Sequence, residues 1–140
     1  MTTRSQIVVG VDGSAGSKHA VEWAARQARL EGKSLLAVNA WEPVAVGWTP
    51  YPTALMSSMA AEQEKVLQEA LDEVLGADRG VDVETQVLCG SPGRKLVSVS
   101  DGAALLVVGR HGRHRLTGQL GSVSGYCARH APCPVVVVHP

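Results

Sequence analysis

Residues 6–41 have the sequence QIVVGVDGSAGSKHAVEWAARQARLEGKSLLAVNAW, and this stretch decides the fold. Its first run, QIVVGV, is apolar and β-branched without polar alternation, which is typical of a strand buried on both faces. A helix is predicted next, because small and apolar side chains recur at three- and four-residue steps, at Ala20, Val21, Ala24, Ala25 and Ala28. Ser14 and Ser17 are candidate N-caps, and Gly32 is the predicted end of the helix. The run SLLAVNAW at 34–41 predicts a second strand.

The alternation of strand and helix continues along the chain. Apolar residues at helical spacing predict a long amphipathic helix from about Leu55 to Leu75, ended by Gly76. The later elements are predicted, in order, as a strand at 81–88, a short helix at 91–99, a strand at 103–108, a short helix at 122–130 and a strand at 134–138. Strands that alternate with helices form parallel βαβ units with right-handed crossovers. The predicted fold is therefore α/β, an open doubly wound sheet of five parallel strands with helices on both faces.

The composition is that of one packed domain, which we place at residues 1–140. Hydrophobic residues make up 45% of the 140 residues and charged residues 19%, with a formal net charge of zero. This balance argues against a nucleic-acid-binding protein, which usually carries a basic stripe. Cys89, Cys127 and Cys133 form no CxxC pair, which fits a reducing compartment. The N-terminal apolar run is too short for a signal peptide, and no run reaches the ~20 residues of a membrane span. We therefore expect a soluble cytoplasmic protein that binds neither nucleic acid nor membranes.

The loop after the fourth predicted strand, GRHGRHRLTGQLGS at 109–122, has the composition of a phosphate-binding site. Ligands of open α/β sheets bind beyond the carboxyl ends of the strands, where this loop begins. Gly109 and Gly112 allow the backbone to approach a ligand closely. The Gly-Ser pair at the end of the loop opens a helix, whose free N–H groups and dipole attract an anion. Ser122 and Ser124 offer hydroxyl donors.

Two other features of the glycine-rich segments bear on this hypothesis. The loop arginines, Arg110, Arg113 and Arg115, either approach a phosphate or only keep the loop solvated, and the sequence does not choose between these roles. The glycines after the first strand have the spacing GxxGxxG instead of the GxGxxG of a dinucleotide-binding fold. A nicotinamide or flavin cofactor is therefore not favoured.

Two possible metal sites follow from the acidic, histidine and cysteine residues. Asp12 comes directly after the first predicted strand, where it either caps the next turn or contacts the ribose, the adenine or a Mg²⁺ ion held through a nucleotide. The run Cys127-x2-His130-x2-Cys133 has suggestive spacing, but no second closely spaced pair completes a tetrahedral site. A half-buried cysteine and a histidine at a helix end are the favoured interpretation of that run.

Two further segments suggest contacts with other molecules. Residues 43–61 carry no charge and contain Trp48, Tyr51 and three prolines. We expect a lid over the site, a partner interface, or a loop folded back onto the following helix. The final run PVVVVHP predicts an edge strand, which pairing with a second copy of the chain would cover.

Taken together, these motifs resemble the universal stress protein family over essentially the whole chain. The first strand leading into VDGS is similar to the opening motif of that family, and ALLVVGRHGR to its fourth strand and glycine turn. GSVS, followed by CARHAPCPVVVV, is similar to its last helix and strand. ATP-binding members have the pattern Gly-x2-Gly-x9-Gly-Ser/Thr. This chain has eight residues, not nine, between Gly112 and Gly121.

The resemblance implies a strand order of 3-2-1-4-5, a homodimer paired through the strand Pro134–Val138, and ATP bound between the ends of strands one and four. It also implies the ligand contacts. Asp12 matches the acidic residue beside the nucleotide, and Gly10 and Val38 match backbone positions that border the adenine. The positions that match the phosphate and ribose motif are Gly109, Gly112, Gly121, Ser122, Val123 and Ser124.

Two functions of different class follow. The first is an ATP-binding regulatory protein that acts as a homodimer and alters its contacts with another protein. The second is a nucleotide-free stress-response scaffold, which the shortened glycine motif favours. An ATP-consuming enzyme is less favoured, because no residue resembles a positioned general base, and we assign no catalytic residue.

Overall fold

A computed structural model describes residues 5–43, 51–77, 79–111 and 120–140. The predicted order of elements is confirmed within these ranges, and each strand begins and ends within two residues of its predicted bounds. The elements are β1 (Gln6–Gly10), α1 (Ala15–Glu31), β2 (Ser34–Trp41), α2 (Thr53–Leu75), β3 (Val83–Cys89), α3 (Pro92–Val99), β4 (Leu105–Gly109), α4 (Ser122–His130) and β5 (Val135–Val138).

The strands form one parallel sheet in the order β3-β2-β1-β4-β5, as predicted. β1 lies at its centre, with Val8 paired to Leu36 of β2 on one side and to Leu106 of β4 on the other. The chain passes from β1 outwards to β2 and β3, and then crosses to the other side of β1 to form β4 and β5. The order therefore reverses between β1 and β4, and in such sheets the loops that leave these two strands diverge and open a crevice.

The core consists of two apolar layers, one on each face of the sheet. Ile7 and Val9 face the layer formed with α1 and α2, whereas Val8 faces the layer formed with α3 and α4. All three side chains are fully buried. This double burial explains why the first strand shows no polar alternation, since neither face of a central parallel strand meets water.

Local hydrogen bonds fix the ends of α1. Ser14 is its N-cap, since its hydroxyl oxygen accepts a hydrogen bond from the N–H of Ser17 at 3.2 Å. Ser17, the other candidate cap, lies inside the helix and donates its own hydroxyl to the carbonyl oxygen of Ser14 at 3.0 Å. Gly32 ends the helix in the left-handed region with φ of 64°, a conformation that glycine adopts without strain.

Part of the uncharged segment at 43–61 is helical. α2 begins at Thr53, with Pro52 as its N-cap residue, so the long loop expected there gives way to helix from that position. Residues 44–50, including Trp48, lie outside the described residues, as do Gly112, Arg113 and Arg115 in the glycine-rich loop. No helix in the described part of the chain is both long and apolar enough to cross a membrane.

Candidate functional site

A cavity of about 550 Å³ opens at the carboxyl edge of the sheet, above the ends of β1, β2 and β4. It lies where the sequence placed the site, and its lining includes most of the predicted ligand-binding residues, namely Gly10, Asp12, Val38, Gly109, Gly121, Ser122, Val123 and Ser124. Gly112, the remaining member of that set, lies outside the described residues. The fold therefore brings these positions around one space, and that they contact a nucleotide stays a prediction.

Glycines let two backbones meet at the floor of this site. A Cβ atom placed on Gly109 would lie 2.7 Å from both the carbonyl carbon and the carbonyl oxygen of Gly16. A Cβ atom on Gly16 would in turn lie 2.5 Å from the carbonyl oxygen of His111. Real Cβ atoms do not approach backbone atoms so closely, so both positions require glycine for this packing. The sequence predicted Gly109 but not Gly16, because the contact depends on how the first turn of α1 packs against the end of β4, far away in the chain.

The start of α4 faces the cavity and is tied to the end of β4. Gly121 is its N-cap residue and makes no side-chain cap. The N–H of Gly121 donates to the carbonyl oxygen of Arg110 at 2.8 Å, and the N–H of Gly125 is bonded back to Gly121 within the helix. The N–H groups between them are those that a helix leaves without intrahelical partners. Together with the helix dipole, they make this end of the cavity favourable for an anion.

The two serines of this turn have different roles. Ser124 is 2% exposed, and its hydroxyl donates to the carbonyl oxygens of Arg110, at 2.7 Å, and Gly121, at 3.1 Å. Its single proton is used within the protein in this structure, and the role of Ser124 towards a ligand stays a prediction. Ser122 is exposed and lines the cavity, so its hydroxyl fits the predicted donor role.

Asp12 both caps a turn and lines the cavity. Its Oδ1 atom accepts a hydrogen bond of 2.9 Å from the N–H of Ser14, and its own N–H donates to the hydroxyl of Ser17 at 3.3 Å. The capping interpretation of Asp12 is thus confirmed. The carboxylate nevertheless borders the same space as the α4 N-terminus, so a ligand-side role and the structural role are compatible. A carboxylate beside bound phosphates is a donor set that Mg²⁺ accepts.

Three buried polar atoms near the cavity have no hydrogen-bond partner among the described residues: Asn39 Oδ1, Arg110 Nε and His111 Nδ1. Asn39 and His111 line the cavity, and Arg110 is the neighbour of His111. Buried polar atoms are rarely left unpaired in native proteins. Asn39 and His111 are therefore candidate hydrogen-bond partners for a molecule bound in the cavity.

Apolar side chains cover the part of the cavity nearest β2. Trp41, Met59 and Leu96 line it, together with Val38 and Val108. Trp41, Met59 and Leu96 were not predicted as site residues, since apolar side chains in such elements also suit the core. Trp41 is only 8% exposed. Such an apolar wall suits a flat, largely apolar part of a ligand.

The cysteine and histidine run near the end of the chain has an ordinary structural explanation. Cys127 is fully buried and Cys133 is half-buried. Burial, with a smaller contribution from Cys133, raises the pKa of the Cys127 thiol to about 11. His130 ends α4 and stacks on the Tyr126 ring, with centroids 4.4 Å apart. No group of three or more His, Cys, Asp or Glu side chains suited to a metal ion occurs in the ranges that the structure describes.

Comparisons with known proteins agree with this architecture. The family model described as the universal stress protein family matches residues 3–139. A universal stress protein of Mycolicibacterium smegmatis (strain ATCC 700084 / mc(2)155) is 35% identical over 143 residues, which cover 98% of this chain and 49% of that protein. The chain thus spans about half the length of the curated relatives that it matches.

Two solved structures illustrate the similarity in three dimensions. Universal stress protein UspA from Lactobacillus plantarum matches with a TM-score of 0.79 and 23% identity, covering 99% of both chains, which supports the fold. A universal stress protein crystallised in complex with cAMP matches with a TM-score of 0.73 and 30% identity, covering 96% of both chains.

Proposed function

Because this chain belongs to the universal stress protein family, we propose that it is an ATP-binding regulatory protein that acts as a homodimer. The observation that carries the proposal is the cavity at the point where the strand order reverses. One end of that cavity is the N-terminus of α4, and the other is an apolar wall beside β2. An anionic group and a flat apolar group joined in one molecule match these two ends.

The anion-binding end has the chemistry that a phosphate chain requires. The first turn of α4 offers backbone N–H groups without intrahelical partners, and the exposed hydroxyl of Ser122 lines the cavity beside them. Phosphate oxygens are strong acceptors and suit both kinds of donor. In this proposal Asp12 holds Mg²⁺ against the phosphates, and Mg²⁺ neutralises part of their charge.

The solved relative in complex with cAMP supports an adenine nucleotide as the ligand. cAMP and ATP share the adenine base and the ribose, and they differ in the negative charge of the phosphate group that would lie at the α4 end of the cavity. We propose ATP because the glycine-rich loop resembles the pattern of ATP-binding members and leads to the N-terminus of α4, where backbone N–H groups lack intrahelical partners. Titration with ATP, AMP and cAMP under the same conditions ranks their affinities. If cAMP binds more tightly than Mg-ATP, cAMP replaces ATP as the proposed ligand.

A matched pair of variants at Ser122 tests the proposal. Ser122→Asp places a negative charge in the first turn of α4, which stabilises the helix by about 0.3–1 kcal/mol but repels a phosphate. Ser122→Asn has nearly the same size and no charge. We expect isothermal titration calorimetry to show saturable Mg-ATP binding for the wild type and Ser122→Asn, and loss of binding for Ser122→Asp. Absence of binding by the wild type, or equal affinity of both variants, contradicts the proposal.

The homodimer is supported by β5, which pairs with β4 along one edge and is half-buried from Val135 to Val138. The carbonyl of Val138 accepts from the N–H of Arg110, which directly follows β4. The N–H of the preceding Val137 therefore points to the outer edge, since the backbone groups of neighbouring strand residues point to opposite sides. Val137→Pro therefore removes a donor at the outer edge and leaves the β4 pairing intact. We expect sedimentation to show a dimer for the wild type and a monomer for this variant.

We further propose that the protein regulates a protein partner in the cytoplasm and does not consume ATP at an enzymatic rate. One oxygen of Asp12 is held by the Ser14 N–H, which suits binding better than proton abstraction. A steady turnover of Mg-ATP near the 1–10³ s⁻¹ typical of enzymes would contradict this part of the proposal.

The second candidate is a nucleotide-free scaffold that acts through protein contacts. The observation that favours it is the glycine motif, which is one residue shorter than the ATP-binding pattern between Gly112 and Gly121. A dimer that sediments normally and shows no heat with Mg-ATP, AMP or cAMP would favour this function over the first.

A further inference from the structure

Asn39 is a polar residue in the buried part of β2. It follows Leu35 and Ala37 on the strand face that packs against α1 and α2, and it is 2% exposed. Its Oδ1 atom is buried and accepts no hydrogen bond from the described residues. Leaving a buried acceptor unpaired is unfavourable. Because Asn39 lines the cavity, a bound molecule can supply the missing donor.

Gln63 of α2 is the hydrogen-bond partner of this amide. The Nδ2 atom of Asn39 donates to Oε1 of Gln63 at 3.1 Å, which leaves Oδ1 as the end available to a ligand. Gln63 is half-buried and lines the same cavity. An amide has a donor end and an acceptor end of similar shape, so a neighbour decides which end faces the ligand. With this hydrogen bond in place, Asn39 presents its Oδ1 acceptor to the cavity.

Asn39 lies at the end of the cavity away from α4. β2 and β4 flank β1 in the sheet, so two strand spacings, about 10 Å, separate β2 from the strand that leads into the glycine-rich loop. A nucleoside spans a comparable length between its base and its phosphate-bearing oxygen. With the phosphates at the α4 end, the base therefore lies beside β2. Glu42, which follows β2 and lines the cavity, adds further acceptor oxygens there.

We propose that Asn39, held by Gln63, selects nucleotides whose base carries an exocyclic amino group over those that carry a keto oxygen at the same position. This inference rests on the proposed function, since it concerns which nucleotide the cavity accepts. An amino group donates to Oδ1, whereas a keto oxygen sets a second acceptor against it. A keto base fits only if both amides turn over together, so that Gln63 donates to Asn39 and the Nδ2 of Asn39 faces the base.

Two substitutions at Gln63 separate these states. Gln63→Glu still accepts from the Nδ2 of Asn39 but cannot donate, so it holds Oδ1 towards the cavity. Gln63→Met has a similar length and neither accepts from nor donates to an amide in a comparable way, so Asn39 becomes free to turn over. Asn39→Leu removes the acceptor itself and keeps a branched side chain of similar shape.

The test is calorimetric titration with Mg-ATP and Mg-ITP, which share the ribose and triphosphate and differ at the amino-bearing edge of the base. We expect the wild type to prefer ATP by about tenfold, and Gln63→Glu to widen that ratio. We expect Gln63→Met and Asn39→Leu to reduce it to within about twofold. Should Asn39→Leu fail to fold, the ratio between the two Gln63 variants, at a half-buried helix position, decides the question.

The outcomes separate this inference from the function on which it rests. A wild type that binds neither nucleotide overturns both. A wild type that binds ATP and ITP equally overturns the role of Asn39 and leaves nucleotide binding standing. The same conclusion follows if Gln63→Glu and Gln63→Met discriminate equally, because the orientation of the amide would then have no effect on the choice of base.

Discussion

The hydroxyl of Ser124 donates a hydrogen bond of 2.7 Å to the carbonyl oxygen of Arg110. Arg110 directly follows β4, and Ser124 lies in the first turn of α4, so this bond joins the two ends of the glycine-rich loop. The same carbonyl accepts from the N–H of Gly121 at 2.8 Å. These two bonds determine where α4 begins relative to β4, and hence where the N-terminus of the helix faces.

We predict that Ser124→Ala lowers the free energy of unfolding by about 1 kcal/mol, because it removes a buried hydrogen bond while Gly121 still satisfies the carbonyl. Urea denaturation followed by circular dichroism measures the change. Ser122→Ala is the matched control, and as an exposed substitution it should alter that free energy by less than about 0.5 kcal/mol. Equal losses in the two variants would show that the Ser124 bond does not fix the helix start.

A second prediction concerns the close packing of Gly109 on Gly16. In Gly109→Ala the added methyl group would lie 2.7 Å from backbone atoms that cannot move independently. Overpacking of this kind typically costs about 1–3 kcal/mol, so we expect that loss in the free energy of unfolding. We also expect weaker Mg-ATP binding, because the end of β4 moves away from the first turn of α1.

The control for this prediction is another glycine-to-alanine change in the same region. Gly125 lies inside α4, and the nearest atoms to a Cβ there are guanidinium nitrogens of Arg129 at 3.9 Å. Gly125→Ala should therefore stabilise the protein by about 0.5–1 kcal/mol through helix propensity. If both variants lost stability alike, steric contact between β4 and α1 would not be the cause.

The sequence predicted the fold well because the fold depends on local patterns. β2 and α4 begin and end at their predicted residues, and the family match confirms the resemblance. The boundary of β1 was less accurate, since Val11 was assigned to the strand, which ends at Gly10. The N–H of Val11 still donates to the carbonyl of Val38 at 2.8 Å, so its backbone bonding resembles that of the strand it follows.

The candidate site was predicted only in the parts that have a sequence motif. Asn39 and Gln63 were missed because they meet through the packing of α2 on the sheet, 24 positions apart in the chain. One signal was available for Asn39, namely an amide within an otherwise apolar strand. Gln63 had none, since a glutamine on an amphipathic helix is ordinary. Glycine motifs identify candidate ligand-binding loops from the sequence alone. A side-chain pair such as Asn39 and Gln63, by contrast, forms only when helix and strand pack in the correct register.

A third prediction separates the two roles of Asp12. Asp12→Asn keeps an oxygen that accepts from the N–H of Ser14, whereas Asp12→Ala removes it. We expect Asp12→Ala to lower the free energy of unfolding by about 1 kcal/mol and Asp12→Asn to leave it within about 0.5 kcal/mol of the wild type.

The wild type and Asp12→Asn also test whether Asp12 takes part in Mg²⁺ binding. In the wild type, Mg²⁺ should strengthen ATP binding, because Asp12 would help to hold the ion beside the phosphates. In Asp12→Asn, Mg²⁺ should have a smaller effect, and binding of ATP in the presence of EDTA should be equal or tighter, since the carboxylate no longer repels the phosphates. An identical effect of Mg²⁺ in both proteins would leave Asp12 with the turn-capping role alone.

A fourth prediction follows from the burial of Cys127, which raises the pKa of its thiol to about 11 in the folded state, against about 8.5 for an exposed thiol. The folded protein keeps this proton at a pH where the unfolded chain has lost it. The stabilisation is therefore fully present below about pH 8.5 and is lost as the pH rises through the folded-state pKa, by at most about 1.4 kcal/mol per pH unit.

Urea denaturation from pH 8 to 10.5 measures this loss. The free energy of unfolding should fall more steeply with pH for the wild type than for Cys127→Ala, in which every other titrating group is retained. Parallel curves for the two proteins would mean that Cys127 ionises alike in both states, which its complete burial makes unfavourable.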